Sequence, residues 1–204
     1  HIYVLPGNKL LSVKDDKLIL KPLTNNKVQR SQIIDSFFTS LARVYETHAV
    51  GVVLSGTASD GTMGLKAIKD HGGFTIAQNK AFAAYEGMPQ SAIAAGVADF
   101  ILPPEKIPQK LLDIAKAISD KTHIDIPGSE EELFKEILSV LRSRKGMDFT
   151  YYKQTTVRRR IVRRMVINKF KTIGAYIRYL QANTAEQDAL YHDMLIPVTS
   201  FFRD

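Results

Sequence analysis

The stretch from Val50 to Leu65, VGVVLSGTASDGTMGL, constrains the fold more than any other part of the chain. A short run of β-branched and apolar residues is followed by small, turn-forming residues. An Asp60-Gly61 step then opens a second run with helical apolar spacing. The first run predicts a buried strand and the last a helix. A strand whose loop opens directly into a helix is the building unit of an open α/β sheet, and such sheets place their chemistry where strands end. Asp60 is therefore the first candidate site residue.

The rest of the first half repeats the alternation. Ile2–Leu5 reads as a strand closed by Pro6-Gly7. Leu10–Val13 and Leu18–Leu20 flank Lys14-Asp15-Asp16-Lys17 and predict a hairpin. Residues 31–47 carry Ile33, Ile34, Phe37, Phe38, Leu41 and Val44 at a helical period. Strands at 50–54, 74–77 and 99–102 and helices at 61–70, 89–95 and 104–120 complete the series. The expectation is an α/β fold built on a parallel sheet covered by helices.

Charge separates a second half from the first. Residues 1–126 hold 14 Lys and Arg against 12 Asp and Glu, whereas residues 127–204 hold 14 against 9. Nine basic residues and no acidic one lie between Asp148 and Glu186. Ile126-Pro127-Gly128-Ser129 sits at the change, as a linker would. The expected organisation is an α/β part over 1–122, a linker over 123–129 and a small all-α bundle over 130–204. In the bundle, helices are predicted at 130–145, 152–168, 173–182 and 185–196. Cysteine is absent, so disulfides and thiolate metal sites are excluded, and no metal is expected. No apolar run nears the ~18 residues of a membrane span, so no membrane insertion is expected, and the composition fits a cytoplasmic chain. Its start inside a predicted strand and its uncapped end read as a piece cut from something longer.

At Asp60 several chemistries compete. The spacing of Gly56 and Gly61 matches a phosphate loop, but Thr62 stands where the lysine belongs. A G-x-S-x-G nucleophile elbow is absent, because Ser59 lies three residues after Gly56. Two readings remain open from the residues: Asp60 orients a catalytic histidine, or it simply caps the helix that follows.

The run Arg158-Arg159-Arg160 with Arg163-Arg164 poses the second question. On a helix, Val157, Ile161 and Met165 share one face, with Arg159, Arg160 and Arg163 opposite. A solvated face, an acidic protein partner and nucleic acid are the three readings. On a solvated face, reversing Arg160 and Arg163 to Glu is expected to shift stability by no more than ~0.5 kcal/mol.

Several motifs in order carry a resemblance for the first half: Ile2-Tyr3-Val4-Leu5-Pro6-Gly7, Gly51-Val52-Val53-Leu54-Ser55-Gly56, Asp60-Gly61, Gly64-Leu65, Thr75-Ile76-Ala77-Gln78-Asn79 and Gly87-Met88-Pro89. Residues 1–120 resemble the C-terminal part of the chemotaxis receptor methylesterases of the CheB type. The resemblance implies that Asp60 is the acidic member of a serine-hydrolase triad whose Ser and His lie upstream, and that the piece alone hydrolyses nothing. In the second half, Gly146-Met147, Tyr151-Tyr152-Lys153, Val157 to Met165 and the closing Thr199-Ser200-Phe201-Phe202-Arg203-Asp204 resemble the N-terminal helical domain of CheR-type receptor methyltransferases. By that resemblance Arg160 and Arg163 bind the acidic methylation helices of chemoreceptors. Thr199 and Arg203 approach S-adenosylmethionine, whose main domain lies further on. An esterase piece followed by a methyltransferase piece implies a bifunctional parent enzyme acting on receptor glutamates, with no nucleic-acid role. The rival is a scaffold with a degenerate esterase domain and no catalysis.

Overall fold

The computed structural model describes residues 2–24, 30–121 and 131–195. The chain divides into two compact units, residues 1–115 and 116–204.

The first unit begins with a hairpin of β1, Lys9–Lys14, and β2, Lys17–Pro22, paired antiparallel from Lys9 opposite Pro22 to Lys14 opposite Lys17. Asp15 and Asp16 both have positive φ, 51° and 58°, as a two-residue turn of this twist demands. Helix α1, Ile33–Tyr45, follows, then β3, Val50–Val53, and α2, Thr62–Asp70. Next come β4, Phe74–Gln78, α3, Gly87–Ala94, β5, Phe100–Leu102, and α4, Ile107–Lys121, which runs across the division between the units at residue 115. The three later strands form a parallel sheet in the order β3-β4-β5. Every residue of β4 is buried, as expected for the middle strand of a parallel sheet whose faces are both covered.

The core of this unit gathers Phe38 and Ala42 of α1, Val53 of β3, Leu65 and Ile68 of α2, Ala77 of β4 and Ala92 of α3. The helical spacing read from Phe38 and Leu41 thus faces the sheet-side core. The α/β expectation is met, with one correction. Ile2–Leu5 is not a strand: among the described residues it joins no ladder, and Ile2, Tyr3 and Val4 are exposed. Backbone amides in a strand need a neighbour to bond, and alternation of apolar residues alone does not supply one.

The second unit is helical. It holds α5, Glu131–Lys145, α6, Gln154–Ile167, α7, Ile173–Ala182, and α8, Thr184–Met194. Phe134, Ile137, Leu138 and Leu141 of α5 meet Val157, Ile161 and Met165 of α6, and Tyr176, Ile177 and Leu180 of α7 complete the core with Leu190 of α8. The two short helices are started by their own caps. Thr172 Oγ1 accepts the Ala175 N–H at 3.4 Å, and Asn183 Oδ1 accepts the Glu186 N–H at 3.1 Å. The expected linker over 123–129 lies outside the described residues, as do Thr199 and Arg203.

Candidate functional site

The loop between β3 and α2 is fixed from two sides. Gln78 at the end of β4 accepts the Ser55 N–H at 2.8 Å, while its amide nitrogen donates to the Phe82 carbonyl at 2.7 Å. Gly56 donates its N–H to the Tyr85 carbonyl and accepts the Met88 N–H, both at 2.9 Å. The Tyr85–Met88 stretch therefore grips the loop through backbone bonds, and it packs so closely that a Cβ at Gly56 would lie 2.2 Å from Met88 Sδ and one at Gly87 3.0 Å from the Ala58 backbone.

Asp60 ends this loop, and its carboxylate caps a helix other than the one it precedes. Oδ2 accepts the Ile34 N–H at 3.0 Å and Oδ1 accepts the Asp35 N–H at 2.9 Å. These are two of the amides that a helix N-terminus leaves without an internal partner. Gln32, the N-cap residue of α1, makes no side-chain cap of its own. Helix α2 is in the same position, since its N-cap is Gly61, held at φ 94°, a conformation that disfavours any side chain. Asp35 on α1 fills that gap: its Oδ1 accepts the Gly64 N–H at 2.7 Å. The caps are thus crossed: Asp60, from the loop before α2, caps α1, and Asp35 of α1 caps α2. Burial pushes the Asp35 carboxyl above the usual carboxylate range; the Gly64 N–H opposes this and the Asp60 charge adds to it.

Such crossed caps need the two helices to approach closely, and Gly64 allows it. A Cβ there would lie 2.6 Å from the Cβ of Phe38 and 3.0 Å from the Asp35 Cα. Gly64→Ala is expected to push α1 from α2 and to cost about 1–3 kcal/mol, the usual range for overpacking. Urea denaturation of the variant against the parent chain measures it; a midpoint unchanged at equal slope is the contrary result.

Near this region α1 carries an open cleft of about 510 Å³, lined by Gln32, Asp35, Ser36, Thr39, Ser40, Arg43 and Met63. Asp60 is not among its lining residues. Among the described residues no group of His, Asp or Glu is arranged to hold a metal, and no helix is long and apolar enough to cross a membrane.

In the second unit the expected arginine face is corrected. Arg160 and Arg163 are buried, with 6% and 2% of their surface exposed, while Arg159 is exposed. Arg163 Nη1 donates to Asp193 Oδ2 at 2.7 Å, in a pair almost wholly removed from water. Arg164 forks onto Glu186: its Nε donates to Oε1 at 2.8 Å and its Nη2 to Oε2. The Tyr176 hydroxyl also donates to Glu186 Oε1, at 2.8 Å. Burial alone would lower the pKa of Arg164, yet the bonds and charge of Glu186, with Asp193, hold it above its ordinary value. Burial, then the Glu186 charge, pushes the Tyr176 phenol well up. Arg158 pairs with Glu131 and lies 4.7 Å over the Phe134 ring. The physical reason for the correction is that α8 returns against α6 and brings acids to arginines 22 and 30 residues away. A signal was present: Glu186 and Asp193 are seven residues apart, hence on one helical face. Asp35 carried no comparable signal, since nothing in its spacing ties it to Gly64.

Residues 1–111 match the family described as CheB methylesterase, and residues 132–195 match the CheR methyltransferase all-alpha domain. A 104.1 kDa protein of Rhodobacter capsulatus is 34% identical over 226 residues, covering 100% of this chain and 24% of its own length. Protein-glutamate methylesterase/protein-glutamine glutaminase 2 of Burkholderia lata is 41% identical over 123 residues, covering 56% of this chain and 36% of its own length. The chain therefore spans about a third or less of these curated relatives. The CheB methylesterase catalytic domain of Thermotoga maritima is 33% identical, with a TM-score of 0.49, over 55% of this chain and 61% of that one. The chain belongs to the CheB methylesterase family through its first unit, and it continues into the all-alpha domain of CheR methyltransferases.

Proposed function

We propose that the polypeptide carrying this sequence removes and adds methyl esters on glutamate side chains of chemoreceptors, as a bifunctional esterase and methyltransferase of the cytoplasm. One observation carries the esterase half. Asp60, at the end of the loop that follows β3, has both carboxylate oxygens held by backbone amides, so its orientation is fixed. A fixed carboxylate is what a serine-hydrolase triad asks of its acidic member. It orients the histidine in one tautomer and stabilises the imidazolium formed when the serine attacks the ester carbonyl. Each Asp60 oxygen has a second lone pair left for that histidine N–H.

For the methyltransferase half, helix α6 is the receptor-facing element. Arg159 presents charge to an acidic helix, while Arg160 and Arg163 are buried and Arg163 holds α6 to α8 through its bond to Asp193. Arginine suits carboxylate partners because its donors are planar and fixed. S-adenosylmethionine is the methyl donor in this reading, with Thr199 and Arg203 as the residues approaching it. Both lie outside the described residues.

A serine-directed phosphonate probe tests the esterase reading on the natural polypeptide that carries this sequence. One stoichiometrically labelled serine is expected, with labelling reduced by methyl-esterified glutamate peptides. Absence of specific labelling favours the scaffold with a degenerate esterase domain.

A further inference from the structure

We infer that Asp35 is a positioning residue that holds the Asp60 carboxylate in one orientation by tying α1 to α2. The inference rests on the reading of Asp60 as a triad acid, and it concerns how that acid is kept in place.

Asp60 is separated from α2 by Gly61 alone, and glycine is the residue least able to fix its neighbour's direction. Left to its own segment, the Asp60 side chain would swing with the start of α2. Two contacts prevent this. The Ile34 and Asp35 amides take the two carboxylate oxygens, which ties Asp60 to the first turn of α1. The Asp35 side chain then returns from that same turn to the Gly64 amide in the first turn of α2. The result is a closed ring: Asp60, α1, Asp35, α2 and back through Gly61 to Asp60. Removing the Asp35 carboxyl opens the ring at its second contact, and the first turn of α2 loses its cap.

Energetics favour reading Asp35 as a device rather than as ordinary surface charge. Its carboxyl sits beside a second carboxylate and partly out of water, and both circumstances disfavour its ionised form. A folded-state pKa raised in this way means that stability is greatest below the unfolded value and is lost as pH rises through the folded value. Above the folded value the ionised Asp35 therefore works against folding, and the α2 cap is made at that cost. Asp35→Asn keeps an oxygen that accepts the Gly64 N–H and removes the charge, so it is expected to melt no lower than the parent chain. Asp35→Ala removes the acceptor altogether.

Nuclear magnetic resonance on the 204-residue chain reads the clamp directly. In the parent chain the amide protons of Ile34 and Asp35, both bonded to the Asp60 carboxylate, should be protected from hydrogen exchange, and Asp60→Ala should speed their exchange by at least tenfold. Asp35→Ala should also remove the protection at Ile34 and speed hydrogen exchange at Gly64 by at least tenfold, while residues beyond Phe38 keep helical shifts. Asp35→Asn should preserve both signatures. If Asp35→Ala leaves the protection of Ile34 and Gly64 as it was, the inference is wrong. It is equally wrong, with no variant needed, if Gly64 in the parent chain exchanges like an unprotected amide. None of these signals depends on ester hydrolysis. A clamp that holds in a polypeptide without esterase activity sinks the triad reading alone, and an active enzyme without the clamp sinks this inference alone.

Discussion

Arg163→Ala is expected to destabilise the second unit by about 3–5 kcal/mol, the range for removing one partner of a buried ion pair. The loss comes from Asp193 more than from Arg163. Its carboxylate, with 5% of the side chain exposed, is left with Arg164 at 4.0 Å in place of a bonded guanidinium. An ion left in a poorly polarisable interior without its bonded partner either stays charged at high cost or takes up a proton. Charge reversal, Arg163→Glu, sets a second negative charge against Asp193 and should leave the unit unfolded at room temperature. Replacing the pair together, Arg163→Met with Asp193→Leu, is expected to lie close to the parent, because both desolvation costs vanish with the pair. Urea denaturation of the three variants decides between a buried pair and a solvated face. On a solvated face each single change stays within ~0.5 kcal/mol.

The arginines show where the sequence was legible and where it stopped. The apolar stripes of α5 and α6 read correctly, because a face that must be buried repeats every three or four residues and packing adds nothing contradictory. The fate of the arginines depended on α8, and pairings across 22 or 30 residues leave no local period. A charge run looked like a surface for that reason. The same limit applied at Asp60. Strand, loop and helix were evident from Val50 to Leu65, and a capping role was among the readings. Which helix it caps was not evident, since α1 lies 25 residues earlier in the chain and meets α2 at the close approach of Gly64 to Phe38. Ile2–Leu5 failed in the opposite direction: its local pattern fits a strand, but a strand is defined by a neighbour.

On the proposed triad role, Asp60→Asn is expected to produce the second large effect, a loss of activity. Asparagine keeps one oxygen acceptor, so α1 loses at most one of two cap bonds, worth about 0.5–2 kcal/mol. The amide NH₂, however, cannot accept the histidine N–H or stabilise an imidazolium. In a serine-hydrolase triad this change lowers kcat by about 10⁴-fold with the geometry intact. Methanol release from receptor helices bearing glutamate methyl esters, measured for the natural polypeptide that carries this sequence and for its Asp60→Asn variant, tests the account most directly. Expected are hydrolysis by the parent and a fall in kcat of about 10⁴-fold in the variant, with KM little changed and the circular dichroism spectrum retained. Hydrolysis by the variant within about tenfold of the parent contradicts it, as does a parent that releases no methanol at all.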